Sequence, residues 1–209
     1  MSSSVLVTGG TGFIGELLIK ELLLRGHSVV LLTRRPHTAR TMFNNGVKYI
    51  SDIADLPTSY AIDIIINLAG ARIIGWRWTK ARKKVLLDSR IKTTDSIVNW
   101  IANAEKKPEI FFSASAIGYY GIQAESDPTY FNEESQPQSI FMSTLCQEWE
   151  TAAKKAAKFG VTVNIMRFGL VLGHKGALPM MLLPIKLGLG GALGSGKQSI
   201  SWIHVDDLL

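Results

Sequence analysis

The sequence predicts an α/β fold built on a doubly wound parallel sheet, and three observations predict it. Residues 4–15, Ser-Val-Leu-Val-Thr-Gly-Gly-Thr-Gly-Phe-Ile-Gly, pass from an apolar β-type run through closely spaced glycines into an amphipathic helix. Further β-type runs then alternate with helical stretches along the chain, the pattern of right-handed βαβ crossovers. Several of these runs, such as Ser-Val-Val-Leu-Leu-Thr at 28–33, are apolar without alternation, as strands covered on both faces require.

The glycine turn is the strongest single signal. One glycine at the tight turn takes backbone angles closed to other residues, a second lets the main chain approach a pyrophosphate, and a third lets the helix lie against the strand. Gly10, Gly12 and Gly15 follow a strand and open a helix, the context that a dinucleotide fingerprint needs. Gly9, Gly10, Thr11, Gly12, Phe13, Ile14 and Gly15 are therefore candidate cofactor-binding residues, with free N–H groups and the helix dipole directed at phosphate. The plainer alternative is an ordinary glycine-rich βα turn.

Ile14, Leu17, Leu18 and Leu22 recur at helical spacing, and Arg25-Gly26 closes this first helix with a basic turn and a glycine. The strand at 28–33 ends in Arg34-Arg35-Pro36. An acidic residue at that point accepts the ribose 2′-OH of NAD, whereas arginine pairs with the 2′-phosphate of NADP. The acid is missing and two arginines stand there, which favours NADP(H) over NAD(H); two arginines that merely face solvent are the alternative. Residues 36–45 read as a short helix ended by Asn44-Asn45-Gly46, and 47–50 as a strand leading to Asp52 and Ile53, which would border the adenine. The strand at 63–68 ends in Asn67-Leu68-Ala69-Gly70, where small residues admit a cofactor to the backbone.

A helix is predicted over 79–101, with Leu87, Ile91, Thr94, Val98 and Ile101 as its buried stripe. The strand at 110–115 carries Ser113, a further candidate cofactor-binding residue, and Ser115, and runs into Ile117-Gly118-Tyr119-Tyr120-Gly121. A loop over 123–139, a helix over 141–159 and a strand over 161–167 follow. From Gly169 glycines surround an apolar segment at 178–187, read as a glycine-hinged flap, and 201–209 as a short strand with the chain stopping where a helix should begin. All 209 residues form one cofactor-binding domain in this reading, with 169–209 as flap and start of a substrate region.

Composition excludes several classes. Hydrophobic residues are 46% and charged residues 19%, a globular balance. The net charge of +6 is scattered apart from Lys80-Ala81-Arg82-Lys83-Lys84, which reads as a solvated helix start, so no nucleic-acid partner is expected. Cys146 is the only cysteine, which leaves no intrachain disulfide or cysteine cluster and points to a reducing, cytoplasmic setting. His27, His37, His174 and His204 lack metal-ligand spacing, so no metal is expected. No apolar run approaches the roughly 20 residues that span a bilayer, and the first strand leaves no room for a cleaved signal.

The stretches Thr8–Gly15, Asn67–Gly70, Ser113–Gly121 and Trp202-Ile-His-Val-Asp-Asp207 together resemble the extended short-chain dehydrogenase/reductase superfamily with its Rossmann fold. More narrowly they resemble its atypical branch of nucleoside-diphosphate-sugar epimerase-like proteins, also called cell-division-inhibitor-like. Trp149-Glu150 and the glycine-rich run 188–196 suit that branch. The resemblance implies NADP-dependent hydride transfer on an undefined small polar or nucleotide-sugar substrate. It also implies a strand-end serine, here Ser115, working with Tyr-x-x-x-Lys on the next helix.

No Tyr-x-x-x-Lys occurs, because the residues four after Tyr49, Tyr60, Tyr119, Tyr120 and Tyr130 are Ile53, Ile64, Gln123, Ala124 and Glu134. Spacing from Ser115 puts Phe141 and Leu145 at the two positions. Ser115, Tyr119 and Tyr120 remain as the candidate catalytic hydroxyls. Relatives of this type continue past the His-Val-Asp-Asp segment into a small substrate region, of which this chain carries almost nothing; a shortened gene product or an excised piece would both read this way, and a homo-oligomer would cover the exposed face. The alternative function is a catalytically weak NADPH-binding regulator or scaffold. A Ser-His-Asp hydrolase is remote, since Ser115 lacks the Gly-x-Ser-x-Gly elbow.

Overall fold

The computed structural model describes residues 2–43, 46–73, 75, 77–192 and 194–209. Six strands, β1 (Ser4–Thr8), β2 (Ser28–Leu32), β3 (Val47–Ile50), β4 (Ile64–Asn67), β5 (Ile110–Ala116) and β6 (Thr162–Phe168), form one sheet in the order β3-β2-β1-β4-β5-β6. Every neighbouring pair is parallel. The order reverses at β1, and the crevice beyond the strand ends at such a reversal is where α/β proteins bind ligands.

Alternation within the strands divides the core in two. Val5, Val7, Val29 and Leu31 face one side, where Ile19 of α1 (Phe13–Leu24) and Ala39 of α2 (Pro36–Arg40) cover them. Leu6, Val30, Ile65 and Phe111 face the other, covered by α3 (Lys80–Asn103) and α4 (Phe141–Lys154). A 3₁₀ turn, Lys155–Phe159, extends α4 and ends at Gly160 with φ 80°. Single large-to-small changes among these fully buried side chains cost about 2–5 kcal/mol.

The structure shifts two predicted stripes. Gly15 and Ile19 are the buried positions of α1, while Leu17, Leu18 and Leu22 are half-buried, because the close contact of Gly15 with the glycine turn rotates that side inward. On α3 the buried positions are Leu86, Arg90, Thr94, Ile97, Val98, Trp100 and Ile101, with Leu87 and Ile91 only half-buried. Contact with α4 as well as with the sheet widens and turns that stripe. The α2 helix ends at Arg40, earlier than its apolar pattern suggests, and Asn44 and Asn45 lie outside the described residues.

The glycine-rich region carries more structure than a flap. A strand absent from the sequence reading, β7 (Leu170–Leu172), pairs in parallel with β8 (Trp202–His204) as a separate two-stranded sheet. Between them lies α5 (Leu178–Lys186), and β8 leads into a helical turn, α6 (Val205–Leu208), within the chain. Gly173 and Gly176 pack on the Phe13 ring, which also meets His174 edge-on at 5.9 Å.

Candidate cofactor-binding site

The glycine turn is built so tightly that side chains are excluded from it. Gly9 has φ 71°, and a Cβ there would lie 2.5 Å from the Leu68 carbonyl oxygen; one on Gly15 would lie 2.5 Å from the Gly9 oxygen. The Gly12 N–H donates to the Gly9 carbonyl at 2.9 Å, and Gly12 caps α1 without any side chain. No side chain caps the N-terminus of α1, which starts just after Gly12 at the edge of the crevice. Gly10 packs against Ile19 and Leu31 instead, and the Phe13 ring turns to Gly173 and Gly176, so these two serve the turn's packing. Ile14 is half-buried on α1.

A groove of about 740 Å³ runs over this turn. Thr8, Gly9, Thr11 and Gly12 form its floor, Arg34 and Arg35 stand at the β2 end, Asp52 and Ile53 at the β3 end, and Leu68, Ala69 and Gly70 at the β4 end. Asp52 caps a 3₁₀ turn, accepting from the Ala54 N–H at 2.9 Å while the Asp55 carboxylate accepts from the Asp52 N–H at 3.0 Å. Among the described residues neither Arg34 nor Arg35 holds a carboxylate.

Asn67 is fully buried and does not line the groove; it fixes the wall. Thr8 Oγ1 donates to Asn67 Oδ1 at 2.6 Å, Asn67 Nδ2 donates to Thr94 Oγ1 at 2.8 Å, and the Ala69 N–H reaches Thr8 Oγ1 at 3.1 Å. Trp149 Nε1 of α4 donates to the same Thr94 oxygen at 3.1 Å. A chain of buried hydrogen bonds thus runs from β1 through β4 and α3 to α4.

The strand-end hydroxyls sit deeper. Ser113, expected to touch the cofactor, does not line the groove: it pairs with Asn67 in register and is fully buried, its Oγ without a partner among the described residues. Ser115 is 3% exposed and donates its hydroxyl to Glu150 Oε1 at 2.7 Å. Arg167 of β6 grips that carboxylate with both arms, Nε to Oε1 at 2.8 Å and Nη2 to Oε2 at 2.9 Å. Its Nη1 donates to the Tyr120 hydroxyl at 2.9 Å, and its guanidinium lies 3.6 Å over the Tyr119 ring centroid.

Burial alone would push the Glu150 carboxyl up, but hydrogen bonds from Arg167 and Ser115 outweigh it and hold the carboxyl below its ordinary value. The same pairing, against the pull of burial, raises Arg167.

The helix face opposite Ser115 differs from the expected one. A Cβ on Gly118 would lie 3.2 Å from Met142 Cε and 3.9 Å from Cys146 Sγ, and Glu150 follows one turn on, so the stripe toward the serine is Met142, Cys146 and Glu150. Phe141 packs edge-on to Trp78 with Lys83 over its ring, and Leu145 is buried in the core. One residue of helical offset, 100°, makes the difference. Burial pushes the Cys146 thiol up, so this position offers no thiolate at neutral pH.

Thr8 in the groove floor and the Glu150–Arg167 pair beside Ser115 belong to the site without having been read as site residues from the sequence, Glu150 having figured there only in the family resemblance. For Thr8 the signal was its place at the end of β1, and for Arg167 a lone charge at the end of an apolar β-type run; Glu150, with Glu148 two residues before it, gave no such local signal.

A family model for the NAD-dependent epimerase/dehydratase family matches residues 5–209. The chain belongs to that family. The epimerase family protein YfhF of Bacillus subtilis is 38% identical over 208 residues, covering 98% of this chain and 67% of the relative. The human epimerase family protein SDR39U1 (isoform 2), crystallised with NADPH, superposes with a TM-score of 0.82 at 35% identity over 98% of this chain and 67% of its own. A nucleoside-diphosphate sugar epimerase from Corynebacterium glutamicum gives 0.80 at 26% identity, over 100% of this chain and 42% of its own. The chain thus spans about two thirds of the length of YfhF and SDR39U1 and is an atypical, extended short-chain dehydrogenase/reductase with a Rossmann sheet. Among the described residues no helix is long and apolar enough to cross a membrane, and no group of three or more His, Cys, Asp or Glu gathers as metal ligands.

Proposed function

We propose that this epimerase-family chain binds NADP(H) in preference to NAD(H) and uses it in hydride transfer at a carbinol or carbonyl carbon of a small polar or nucleotide-sugar substrate. The observation that carries the proposal is the β2 end of the groove, where Arg34 and Arg35 stand without a carboxylate partner in the place where an acidic residue serves NAD. The NADPH in the human relative supports it. The fit rests on the cradle: only glycine at Gly9 and Gly15 lets the turn close on Leu68 and on itself, where a Cβ would clash, and the α1 terminus, capped by no side chain, suits a pyrophosphate. When bound, the nicotinamide supplies or accepts a hydride. Gly9–Gly12 would hold the pyrophosphate, Asp52 and Ile53 the adenine, and Leu68–Gly70 the nicotinamide side.

Ser115, Tyr119 and Tyr120 are the proposed hydroxyls for proton handling. The Ser115 proton is committed to Glu150, so toward a substrate this hydroxyl accepts; Tyr120 accepts from Arg167, so its own O–H is left to donate. Calorimetric titration tests the cofactor: one arginine on the 2′-phosphate is worth roughly 1.5–3 kcal/mol, so NADPH binds at least about tenfold tighter than NADH and Arg34→Ala removes that margin. Equal affinities in the wild type overturn the assignment.

A second reading, an NADPH-binding regulator without useful turnover, is favoured by Met142 and Cys146 standing opposite Ser115, since neither carries a proton for exchange near neutral pH. Stopped-flow oxidation of NADPH against a panel of carbonyl compounds separates the two. Turnover that falls in Ser115→Ala and Tyr120→Phe supports the enzyme; none with any compound, despite firm NADPH binding, supports the regulator.

A further inference from the structure

Behind the groove wall lies a buried charge that none of this chemistry uses. Arg90 of α3 is 6% exposed. Its Nη1 donates to the Leu86 carbonyl at 3.1 Å and its Nη2 to the Ala71 carbonyl at 3.2 Å, while Nε has no partner. The guanidinium lies 5.0 Å from the Trp149 ring centroid, and among the described residues no carboxylate pairs with it. Two neutral carbonyls and a ring face compensate a desolvated cation only in part, and burial pulls its pKa down to about 10.

The place of this charge is specific. A Cβ on Gly70 would fall 2.8 Å from Arg90 Cζ, so a glycine backbone alone separates the guanidinium from the groove that Gly70 and Ala71 line. The same groove contains the glycine turn, whose Gly9 abuts the Leu68 carbonyl. Because β4 lies on the opposite side of β1 from β2 and β3, Arg90 acts from the side opposite to Arg34 and Arg35. It also brings a positive charge from α3 to the neighbourhood of Cys146, which faces Ser115.

We propose that Arg90 is a hidden cofactor-binding charge: its guanidinium, buried behind Gly70 without a carboxylate, finds its counter-charge in the pyrophosphate-to-nicotinamide half of a dinucleotide seated in the groove. The proposal rests on the cofactor reading above. It makes the free protein carry a cost that the bound protein recovers, so one substitution should act in opposite directions on the two states.

The test uses the full chain as wild type, Arg90→Met, Arg90→Lys and Arg34→Ala, melted without ligand and titrated with NADPH, NADH and 2′,5′-ADP. Arg90→Met is expected to melt at or above the wild type without ligand. It is expected to bind NADPH and NADH each roughly tenfold more weakly, to bind 2′,5′-ADP unchanged, and to be partly rescued in affinity by Arg90→Lys. Arg34→Ala gives the opposite pattern, losing affinity for NADPH and 2′,5′-ADP but not for NADH. A ligand-free Arg90→Met protein that melts below the wild type, whatever its affinities, makes Arg90 an ordinary structural donor and overturns the proposal. Unchanged dinucleotide affinities do so equally. If the wild type binds neither dinucleotide, the cofactor reading itself falls; if it binds NADPH and Arg90→Met binds as well, this inference alone falls.

Discussion

Glu150 and Arg167 are an ion pair with almost no water to weaken it: the Glu150 side chain is 2% exposed and that of Arg167 14%. Removing one partner of such a pair strands the other, so Glu150→Gln should cost about 3 kcal/mol, on the order of 10 °C in melting temperature for a chain of this size. The pH dependence has a definite sign. Folding lowers the Glu150 carboxyl below its ordinary 4.5, so its contribution is complete above about pH 4.5 and is lost as pH falls through the folded value. An acid melt of wild type and Glu150→Gln should therefore converge below that pH, and curves that stay parallel would remove Glu150 from the account. The glycine turn and the arginine pair after β2 were legible from sequence because each is a matter of local order along the chain. The burial of Arg90, Glu150 and Arg167 was not, even though Glu150 figured in the family resemblance, because what makes each unusual is a neighbour far along the chain: Ala71 for Arg90, Ser115 and Arg167 for Glu150.

At the scale of elements, the glycine turn and α1 act as one piece. A methyl on Gly15 would lie 2.5 Å from a backbone oxygen that has nowhere to go, whereas on Gly12 it would lie 3.2 Å from the same oxygen. Gly15→Ala should accordingly abolish NADPH binding and lower the melting temperature, with Gly12→Ala milder on both counts; calorimetry and thermal melts on the two proteins check the order. The helices α3 and α4 show where sequence periodicity stops being informative. A 3.6-residue pattern locates a helix well, but a helix packed on both a sheet and another helix has a wide stripe, and the rotation within it follows from particular contacts. Those contacts are the Trp149–Thr94–Asn67 hydrogen bonds, which hold α4 so that Cys146 rather than Leu145 faces Ser115.

Across the whole molecule, the six-stranded sheet was readable from the alternation of elements, and the β7·β8 pair was not, since three-residue strands 32 positions apart leave no periodic mark. The surface near that pair is apolar: Leu183, Ile185 and Leu187 of the α5 region are 56%, 60% and 66% exposed, and Trp202 is 61% exposed. Apolar area of this kind usually meets a partner. The isolated chain should bind a hydrophobic dye and scatter light as more than a monomer, and Leu183→Lys with Ile185→Lys should reduce both. A clean monomer with no dye binding would contradict this.

The strand order carries a consequence for how the chain reaches its fold. β1 is made before the other five strands of its sheet yet lies inside it, bonded to β2 at a separation of 24 residues and to β4 at 59. With no hairpin anywhere in the six-stranded sheet, each pairing waits for a crossover to be made, so the search is slow and non-local. The glycine turn abuts Leu68, and the groove is lined as far as Ser96 of α3, so nucleotide present during synthesis would find its pocket only once α3 has emerged and packed.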